Sequence, residues 1–467
     1  GDGYPMRAMD QGFERAVVHR GGGIGQPSDP LDARRKYTDP ILYRNGVPEQ
    51  FTGYCTDIYY NEAIKFIKTA RETNKPFFVY LPDNTPHGPF HDVPQDLYQK
   101  YLDKKMDRTA WGRHNAGKDF TEKDADFLAR VFAMIGNVDR NVGKLLDFLD
   151  EADLARVTIV IFMCDNGPNS RRYVMGYRGN KSSVYEGGIR SPFFIRWPGK
   201  ITPGYESTAL AAHIDVMPTL AGLCNVVVPS QLKLDGRDYS DLLIEEQRTN
   251  LGRTEWPSRS IVIQSHRGDQ PTRYHHVAIR NEKWKLVHPS GFGKERFEGE
   301  PKFELYDMVN DAREANNVAA RHPEVVAGMK TAYDKWFDDV SSTRQDNYAP
   351  PQIVIDAEKE NPLVLTRQDW RRTGERGWGN QGYWTIRIDQ PATLTLNCRL
   401  MDKKPSDEII LVINGERTET SQTDASRING TFENVKLMPG KYEITAMARH
   451  KGKLEGVFQI SVTSQKD

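Results

Sequence analysis

Hydrophobic and polar positions between Tyr54 and Pro198 follow helical and strand-like patterns in alternation. Apolar side chains recur at helical spacing over residues 57–69 and 127–149, which predicts two amphipathic helices, and His213–Leu223 predicts a shorter one. Continuous apolar runs predict buried strands at Pro76–Leu81 (PFFVYL), Val157–Met163 (VTIVIFM) and Ser191–Trp197. This alternation predicts an α/β layer fold around a mostly parallel central sheet.

The pattern changes after about Pro257. Short alternating strands at 260–264, 276–280 and 284–288, followed by a helix at 323–340, predict a small C-terminal α+β subdomain. From Ile353 to Val462 only strand patterns occur, with turn signals at Asn414-Gly415 and Asn429-Gly430, which predicts a β-sandwich appendage. We therefore expect three domains, at residues 1–256, 257–345 and 350–467.

Composition excludes several classes of protein. The 467 residues contain 64 Lys+Arg and 64 Asp+Glu, so no net charge favours nucleic acid or an anionic membrane as a partner. No apolar run approaches the length of a transmembrane helix. The four cysteines are far apart and have no CxxC spacing, which indicates neither a zinc site nor a dense disulfide framework. The first residues resemble no leader, and we expect the sequence to begin inside a longer polypeptide.

Polar residues follow two of the predicted strands, where ligands collect in open α/β sheets. Pro86-His87-Gly88-Pro89 comes after the first strand, and Asp165-Asn166-Gly167 after the second. Carboxylate and amide oxygens suit calcium or magnesium, although Asp-Asn-Gly is also common in plain turns. Lys181, in the next loop, could hold an anionic oxygen or simply be solvated. His87 could transfer a proton near neutral pH or only shape its turn.

Eight segments occur in order along the first 340 residues. They are GYCTDIYYNEAIKFI, KPFFVYLPDNTPHGPF, MIGNVDRNVGKLLDFLDE, TIVIFMCDNGPN, GNKSSVYEGGIRSPFFIRWPG, AHIDVMPTLAGL, LDGRDYSDLL and FELYDMVNDAREANNVAARHPEVV. Each segment alone is weak evidence, but the ordered set is specific, and it resembles the type I sulfatases of the alkaline-phosphatase-like superfamily.

The resemblance implies a role for each matching polar residue. Asp165 and Asn166 would be two ligands of one calcium ion, Lys181 would contact the sulfate, and His87 would stand near the leaving-group oxygen. Independently of the resemblance, His266 in the QSHR segment could line the substrate pocket, although a structural role is as good an interpretation. Residues 1–256 would then be the catalytic domain.

The resemblance also implies a formylglycine nucleophile, formed from the cysteine of a C-x-[PA]-x-R motif. Cys55 is followed by Thr56, Asp57 and Ile58, and no other cysteine of the chain fits the motif. The family's paired aspartates, which complete the calcium site, are also missing. We expect the nucleophile and these aspartates in a segment before Gly1, so that the chain alone has an incomplete calcium site and is inactive.

The expected activity is hydrolysis of a sulfate ester, with a sulfated carbohydrate or small molecule as substrate. The family implies a periplasmic or secreted protein. One alternative is a phosphomonoester or phosphodiester hydrolase of the same superfamily, but a two-zinc site needs more His and Asp ligands than these loops supply. Another is a non-catalytic glycan-binding protein, whose platform would contain Trp370, Trp378, Tyr383 and Trp384. Aromatic residues at this density are more often core.

Overall fold

A computed structural model describes most of the chain. It covers residues 3–30, 35–114, 117–170, 172–244, 257–265, 270–293, 297–344, 348–349, 351–372, 381–401, 405–406, 408–424 and 428–465. The chain divides into two compact units, one of residues 1–104, 126–145 and 350–467 and one of residues 105–125 and 146–349. Among the described residues, no helix combines the length and the apolar character needed to cross a membrane.

The helices begin and end close to the predicted positions. In α1 the buried side chains include Tyr60, Ala63, Ile64 and Ile67, which have the i, i+3, i+4, i+7 spacing of one helix face. The helices are α1 (Cys55–Glu72), α2 (Gln95–Leu102), α3 (Arg108–His114), α4 (Glu122–Glu151), α5 (Glu186–Ile189), α6 (Val216–Leu223), α7 (Ser240–Leu243) and α8 (Pro323–Ser341).

The first unit contains a β-sandwich with one shared core. Its strands are β10 (Ile353–Ile355), β11 (Leu363–Thr366), β12 (Arg371–Arg372), β13 (Gly382–Ile388), β14 (Ala392–Arg399), β15 (Glu408–Ile413), β16 (Glu416–Gln422), β17 (Asn429–Leu437), β18 (Gly440–His450), β19 (Lys453–Gly456) and β20 (Gln459–Gln465). One sheet has the order β10-β13-β18-β15-β16, with β12 on β13 and β19 on β18, and the other has the order β11-β20-β14-β17. Trp384 of β13 is fully buried and its Nε1–H donates to the carbonyl of Thr366 in β11, 2.6 Å away, which joins the two sheets.

The N-terminal segment of the first unit packs on this sandwich. The Val354 N–H donates to the Tyr4 carbonyl at 3.0 Å, and Glu360 accepts from the Tyr4 N–H and pairs with Arg20 at 3.1 Å. Strands β1 (Val17–Val18), β2 (Ile41–Arg44) and β3 (Val47–Gln50) form a small antiparallel sheet.

Helix α1 is tied to α4 within the same unit. The carboxylate of Asp57 accepts from the buried amides of Asn137 and Asn141, at 3.0 and 2.6 Å. These contacts fix the two helices against each other.

The second unit contains the predicted α+β subdomain. Strands β6 (Ile261–Gln264), β7 (Val277–Arg280), β8 (Trp284–His288) and β9 (Glu304–Asp307) form an antiparallel sheet in that order. Helix α8 packs on it through Met329, Tyr333 and Phe337. The same unit contains a two-stranded antiparallel sheet of β4 (Val160–Met163) and β5 (Phe193–Arg196).

Three details of the sequence interpretation are wrong. Residues 76–81 are not a strand, and Phe78 and Tyr80 are 65% and 66% exposed. A continuous apolar run forms a buried strand only where neighbouring strands pair with it, and none does so in the described residues. The predicted mostly parallel central sheet does not appear among the described residues of 1–256 either, where β4 and β5 pair antiparallel.

The third wrong detail is the predicted turn at Asn429-Gly430. These two residues are instead the first of strand β17, where they pair with Arg399 and Cys398 of β14. Asn414-Gly415 does form the predicted hairpin turn, with positive φ at both residues. The β-sandwich and the α+β subdomain are therefore confirmed as elements of the fold, while the exact domain boundaries stay predictions.

Candidate active site

The turn after β4 presents the two predicted calcium ligands. The backbone N–H of Asn166 donates to Asp165 Oδ1 at 2.8 Å, and Asn166 Nδ2 donates to the carbonyl of Gly167 at 2.8 Å. Because the amide nitrogen of Asn166 is used by its own turn, Oδ1 is the end left to accept or to ligate. The Asp165 side chain is exposed, and no Lys, Arg or His of the described residues forms an ion pair with it.

Lys181 lies on a loop that is hydrogen-bonded to this turn. The Lys181 N–H donates to the carbonyl of Pro168 at 2.9 Å, and the Gly167 N–H donates to the carbonyl of Gly188 at 2.8 Å. The structure therefore brings Asp165, Asn166 and Lys181 together through main-chain contacts at both ends of the Lys181 loop. The Lys181 side chain is half-buried and forms no ion pair within the described ranges.

Glycines allow the two loops to approach this closely. A Cβ on Gly167 would lie 1.9 Å from the Gly187 carbonyl oxygen, and a Cβ on Gly188 would lie 2.3 Å from that of Ser183. A Cβ on Gly187 would lie 2.4 Å from the Gly179 carbonyl oxygen. These obstacles are backbone atoms, which cannot rotate away as a flexible side chain would.

His276, which sequence reasoning missed, supports the loop from the α+β sheet. Its Nδ1 accepts from the N–H of Gly291 at 3.0 Å, so Nε2 carries the proton that is donated to the Ser182 carbonyl at 2.8 Å. Ser182 has a φ of 68°, a conformation that a non-glycine residue keeps only where its surroundings impose it. In the sequence, His276 is only the first residue of a predicted strand, and a histidine at such a position indicates no particular function.

His87 belongs to the other compact unit, and its loop is built from buried polar contacts. The Tyr37 hydroxyl donates to the His87 carbonyl at 2.8 Å and accepts from Asn84 Nδ2 at 2.7 Å. His87 Nδ1 donates to the Gly88 carbonyl at 2.9 Å, which leaves Nε2 as the nitrogen able to exchange a proton. The ring is exposed.

A buried carboxyl lies at the base of the His87 loop. Burial raises the pKa of Asp83, against the opposing effect of the Thr85 N–H, which donates to its Oδ1 at 3.0 Å. Sequence reasoning did not single out Asp83, because an acidic residue before a proline-rich turn is usually solvated.

Two of the four cysteines, Cys55 and Cys398, are buried. Burial raises the pKa of Cys55 to about 12 and that of Cys398 to about 12. Since the thiolate is the reactive form, neither residue is a nucleophile near neutral pH. His266, the remaining predicted site residue, lies outside the described residues.

Two family models of known proteins match this chain. The sulfatase family model matches residues 3–226, and the model of the C-terminal part of N-sulphoglucosamine sulphohydrolase matches residues 177–336. Residues 3–336, which the two models cover together, belong to the sulfatase family. This confirms the predicted family for the region that carries His87, Asp165, Asn166 and Lys181, while the roles of these residues stay predictions.

Individual sulfatases show how far the likeness extends. An N-acetylgalactosamine-6-O-sulfatase of Bacteroides thetaiotaomicron is 29% identical over 290 residues, which are 58% of this chain and 48% of that protein. Human arylsulfatase A is 29% identical over 283 residues, or 56% of this chain and 48% of that protein. The chain thus spans about half the length of the curated relatives it matches.

The fold of this sulfatase chain matches solved structures as well. The crystal structure of Ps i-CgsB superimposes with a TM-score of 0.55 at 25% identity and covers 72% of this chain and 69% of that one. This likeness confirms the predicted fold class, an alkaline-phosphatase-like α/β fold.

The close approach of the two loops predicts opposite effects at two glycines. Gly167→Ala should destabilise the second unit by about 1–3 kcal/mol, because the added methyl meets a backbone oxygen and the loops must separate. Gly143→Ala, in α4 with nothing within 4 Å of the added methyl, should stabilise by about 0.5–1 kcal/mol. Urea unfolding followed by circular dichroism measures both. Equal free energies of unfolding for Gly167→Ala and the parent would contradict the packing described.

Proposed function

We propose that the protein to which this chain belongs hydrolyses sulfate esters of carbohydrates with the help of one calcium ion. The observation that carries the proposal is the hydrogen-bonded pairing of the Lys181 loop with the Asp165–Asn166 turn. A cation and two hard oxygen ligands on one backbone frame suit an anionic tetrahedral group bound beside a metal. Family membership supports sulfate over other such groups.

The turn fits part of a calcium site. Asp165 offers an exposed carboxylate without a cationic partner among the described residues, and Asn166 has its amide oxygen oriented by its own turn. Calcium takes six to eight oxygen ligands, so these two side chains would supply a minority of them. The described residues contain no group of three or more His, Cys, Asp or Glu arranged to hold a metal. When bound, the ion would supply positive charge at the sulfuryl oxygens.

Lys181 would bind a sulfuryl oxygen. Its ammonium is a compact charge on a flexible stem, while its backbone is fixed by the Pro168 carbonyl. A charge held in place before the reaction stabilises the transition state without reorganisation.

His87 would move the proton at the leaving-group oxygen. Its Nδ1–H is committed to the Gly88 carbonyl, so protonation occurs at Nε2, and that nitrogen would donate to the departing alcohol. The buried Tyr37 holds the His87 backbone in place.

The 467 residues contain no residue suited to become the formylglycine. Cys55 lacks the C-x-[PA]-x-R motif and is buried with a pKa of about 12. No catalytic step of this chain can therefore be assigned to such a group, and the nucleophile would lie in another part of the polypeptide. Export to the periplasm or cell exterior is part of the same proposal.

The proposal that the substrate is a sulfated sugar is supported by the names of the relatives. One is named for an N-acetylgalactosamine-6-O-sulfate activity, which supports a sulfated sugar here. The glycan-binding alternative loses support, because Trp370 and Trp384 are 5% and 0% exposed and belong to the sandwich core. Trp378 lies outside the described residues, and Tyr383 is half-buried.

Release of inorganic sulfate and phosphate tests the proposal directly. The whole gene product, produced together with a formylglycine-generating enzyme, should release sulfate from sulfated sugars or aryl sulfates and little phosphate from the matched phosphates. The 467-residue chain alone should release neither. Sulfate release by the chain alone, or a preference of the whole protein for phosphate, would refute the proposal.

Removal of the predicted sulfate-binding charge should slow the reaction. In the whole protein, Lys181→Ala should lower kcat/KM for an aryl sulfate by about 100- to 1,000-fold, because one preorganised contact is lost. Lys200→Ala removes an exposed lysine of the same unit and should leave kcat/KM unchanged. A Lys181→Ala enzyme with parental kcat/KM would exclude this role.

The role of His87 predicts a dependence on the leaving group. His87→Ala should reduce kcat most for substrates whose alcohol has a high pKa, and least for activated aryl sulfates that depart without a proton. The control is His91→Ala, an exposed histidine four residues further on. A uniform loss of kcat across the series would show that His87 is not the general acid.

A further inference from the structure

A buried lysine lies beneath the Lys181 loop. Lys285, in β8, has no exposed side-chain surface, and its Nζ lies 3.0 Å from Glu186 Oε1 and 2.7 Å from Glu314 Oε1. Both carboxylates are nearly inaccessible as well. Removing one partner from such a group leaves an uncompensated buried charge, which proteins tolerate poorly.

The two carboxylates have different surroundings. Burial raises the pKa of Glu186, but Lys285, Arg280 and Arg190 outweigh that effect and leave it lowered. Burial raises the pKa of Glu314, and Lys285 only partly opposes this. The cationic neighbours of Glu186 thus favour its charged form, and Lys285 is the cation that contacts both carboxylates.

These three side chains hold the main chain of the Lys181 loop. Glu314 Oε2 accepts the backbone N–H of Glu186 at 2.7 Å, at the start of α5. Glu186 is thus held by its side chain through Lys285 and by its backbone through Glu314. Lys285 is on the central part of the α+β sheet, so the loop is anchored to a rigid element.

The anchored residue directly precedes the glycines that set the site geometry. Gly188 accepts the N–H of Gly167, and the Gly187 N–H donates to the Arg178 carbonyl at 2.7 Å. Because the Gly167 N–H is hydrogen-bonded to the Gly188 carbonyl at 2.8 Å, we expect a shift of Glu186 and Gly187 to displace the Asp165–Asn166 turn too.

We propose that Lys285, together with Glu186 and Glu314, is a positioning device that holds the Lys181 loop in register with the Asp165–Asn166 turn. The functional consequence rests on the sulfatase activity proposed above. Lys285 contacts neither Lys181 nor Asp165 in the described structure, so its effect passes through the loop backbone. It is a positioning residue and not a catalytic one.

Lys285→Met in the whole protein tests this inference by amide hydrogen exchange and by calorimetry with calcium chloride. The amides of Gly167, Lys181 and Gly187 should exchange faster, while those of β7 keep their protection. Calcium affinity should fall by about 10- to 100-fold, as it does when outer residues that orient metal ligands are lost. Lys283→Met, which removes an exposed lysine from the turn of the same hairpin, should behave as the parent.

Two further variants separate positioning from folding. Lys285→Arg keeps the charge and should restore part of the calcium affinity. Glu314→Gln keeps the side-chain size and an acceptor for the Glu186 N–H, and should weaken calcium binding less than Lys285→Met. It also provides a folded variant if Lys285→Met does not fold.

The outcomes are distinct from those of the sulfate assay. Unchanged calcium affinity and unchanged exchange at Gly167 and Lys181 would overturn the inference, even if the melting temperature falls. Faster exchange spread evenly over β7 and β8 would overturn it too, since Lys285 would then stabilise only the sheet. The whole protein could release no sulfate while Lys285→Met still accelerates amide exchange at Gly167, Lys181 and Gly187 and weakens calcium binding. In that case the proposed function fails and the positioning role stands.

Discussion

The structure of the candidate site depends on one contact between two backbones. The turn after β4 and the loop before β5 approach until the Gly167 N–H bonds the Gly188 carbonyl, with the Gly187 oxygen too near for any Cβ on Gly167. This contact places Lys181 beside Asp165 and Asn166, although these residues lie on two different loops. The buried Lys285, the two glutamates and His276 then connect the same backbone to the sheet behind it.

The charged residues around the Lys181 loop differ between its surface and its buried side. Lys181 and Asp165 meet solvent, and no ion pair within the described ranges neutralises either one. On the buried side the charges are paired. Lys285 contacts the carboxylates of Glu186 and Glu314, and Arg280 lies 3.9 Å from Glu186. Lys181 and Asp165 thus have no ion pair of their own, while Lys285, Glu186 and Glu314 behind them are paired. Such an arrangement suits the proposed binding of a charged ligand without reorganisation of the protein.

Local sequence patterns predicted the parts of this molecule that local forces decide. Helix α1 and the Asn414-Gly415 hairpin followed from spacing and turn chemistry. The apolar run at residues 76–81 was misread, because burial depends on partner strands and not on the run itself. Lys181, Asp165 and Asn166 were found through short motifs, whereas Lys285 and Glu314 were missed. A charged residue in a strand or loop normally indicates solvent exposure, and only the folded structure shows these two side chains inside.

The glycine contact also limits how this protein can change during evolution. At Gly167, Gly187 and Gly188 the nearest obstacles are main-chain oxygens, so no compensating substitution elsewhere can make room for a side chain. The backbone frame that carries Asp165, Asn166 and Lys181 is therefore closed to gradual variation. A new substrate preference has to arise from side chains on other loops, where an altered residue need not move the backbone. Side chains on the other loops can then diversify while the backbone geometry that brings Asp165, Asn166 and Lys181 together is inherited unchanged.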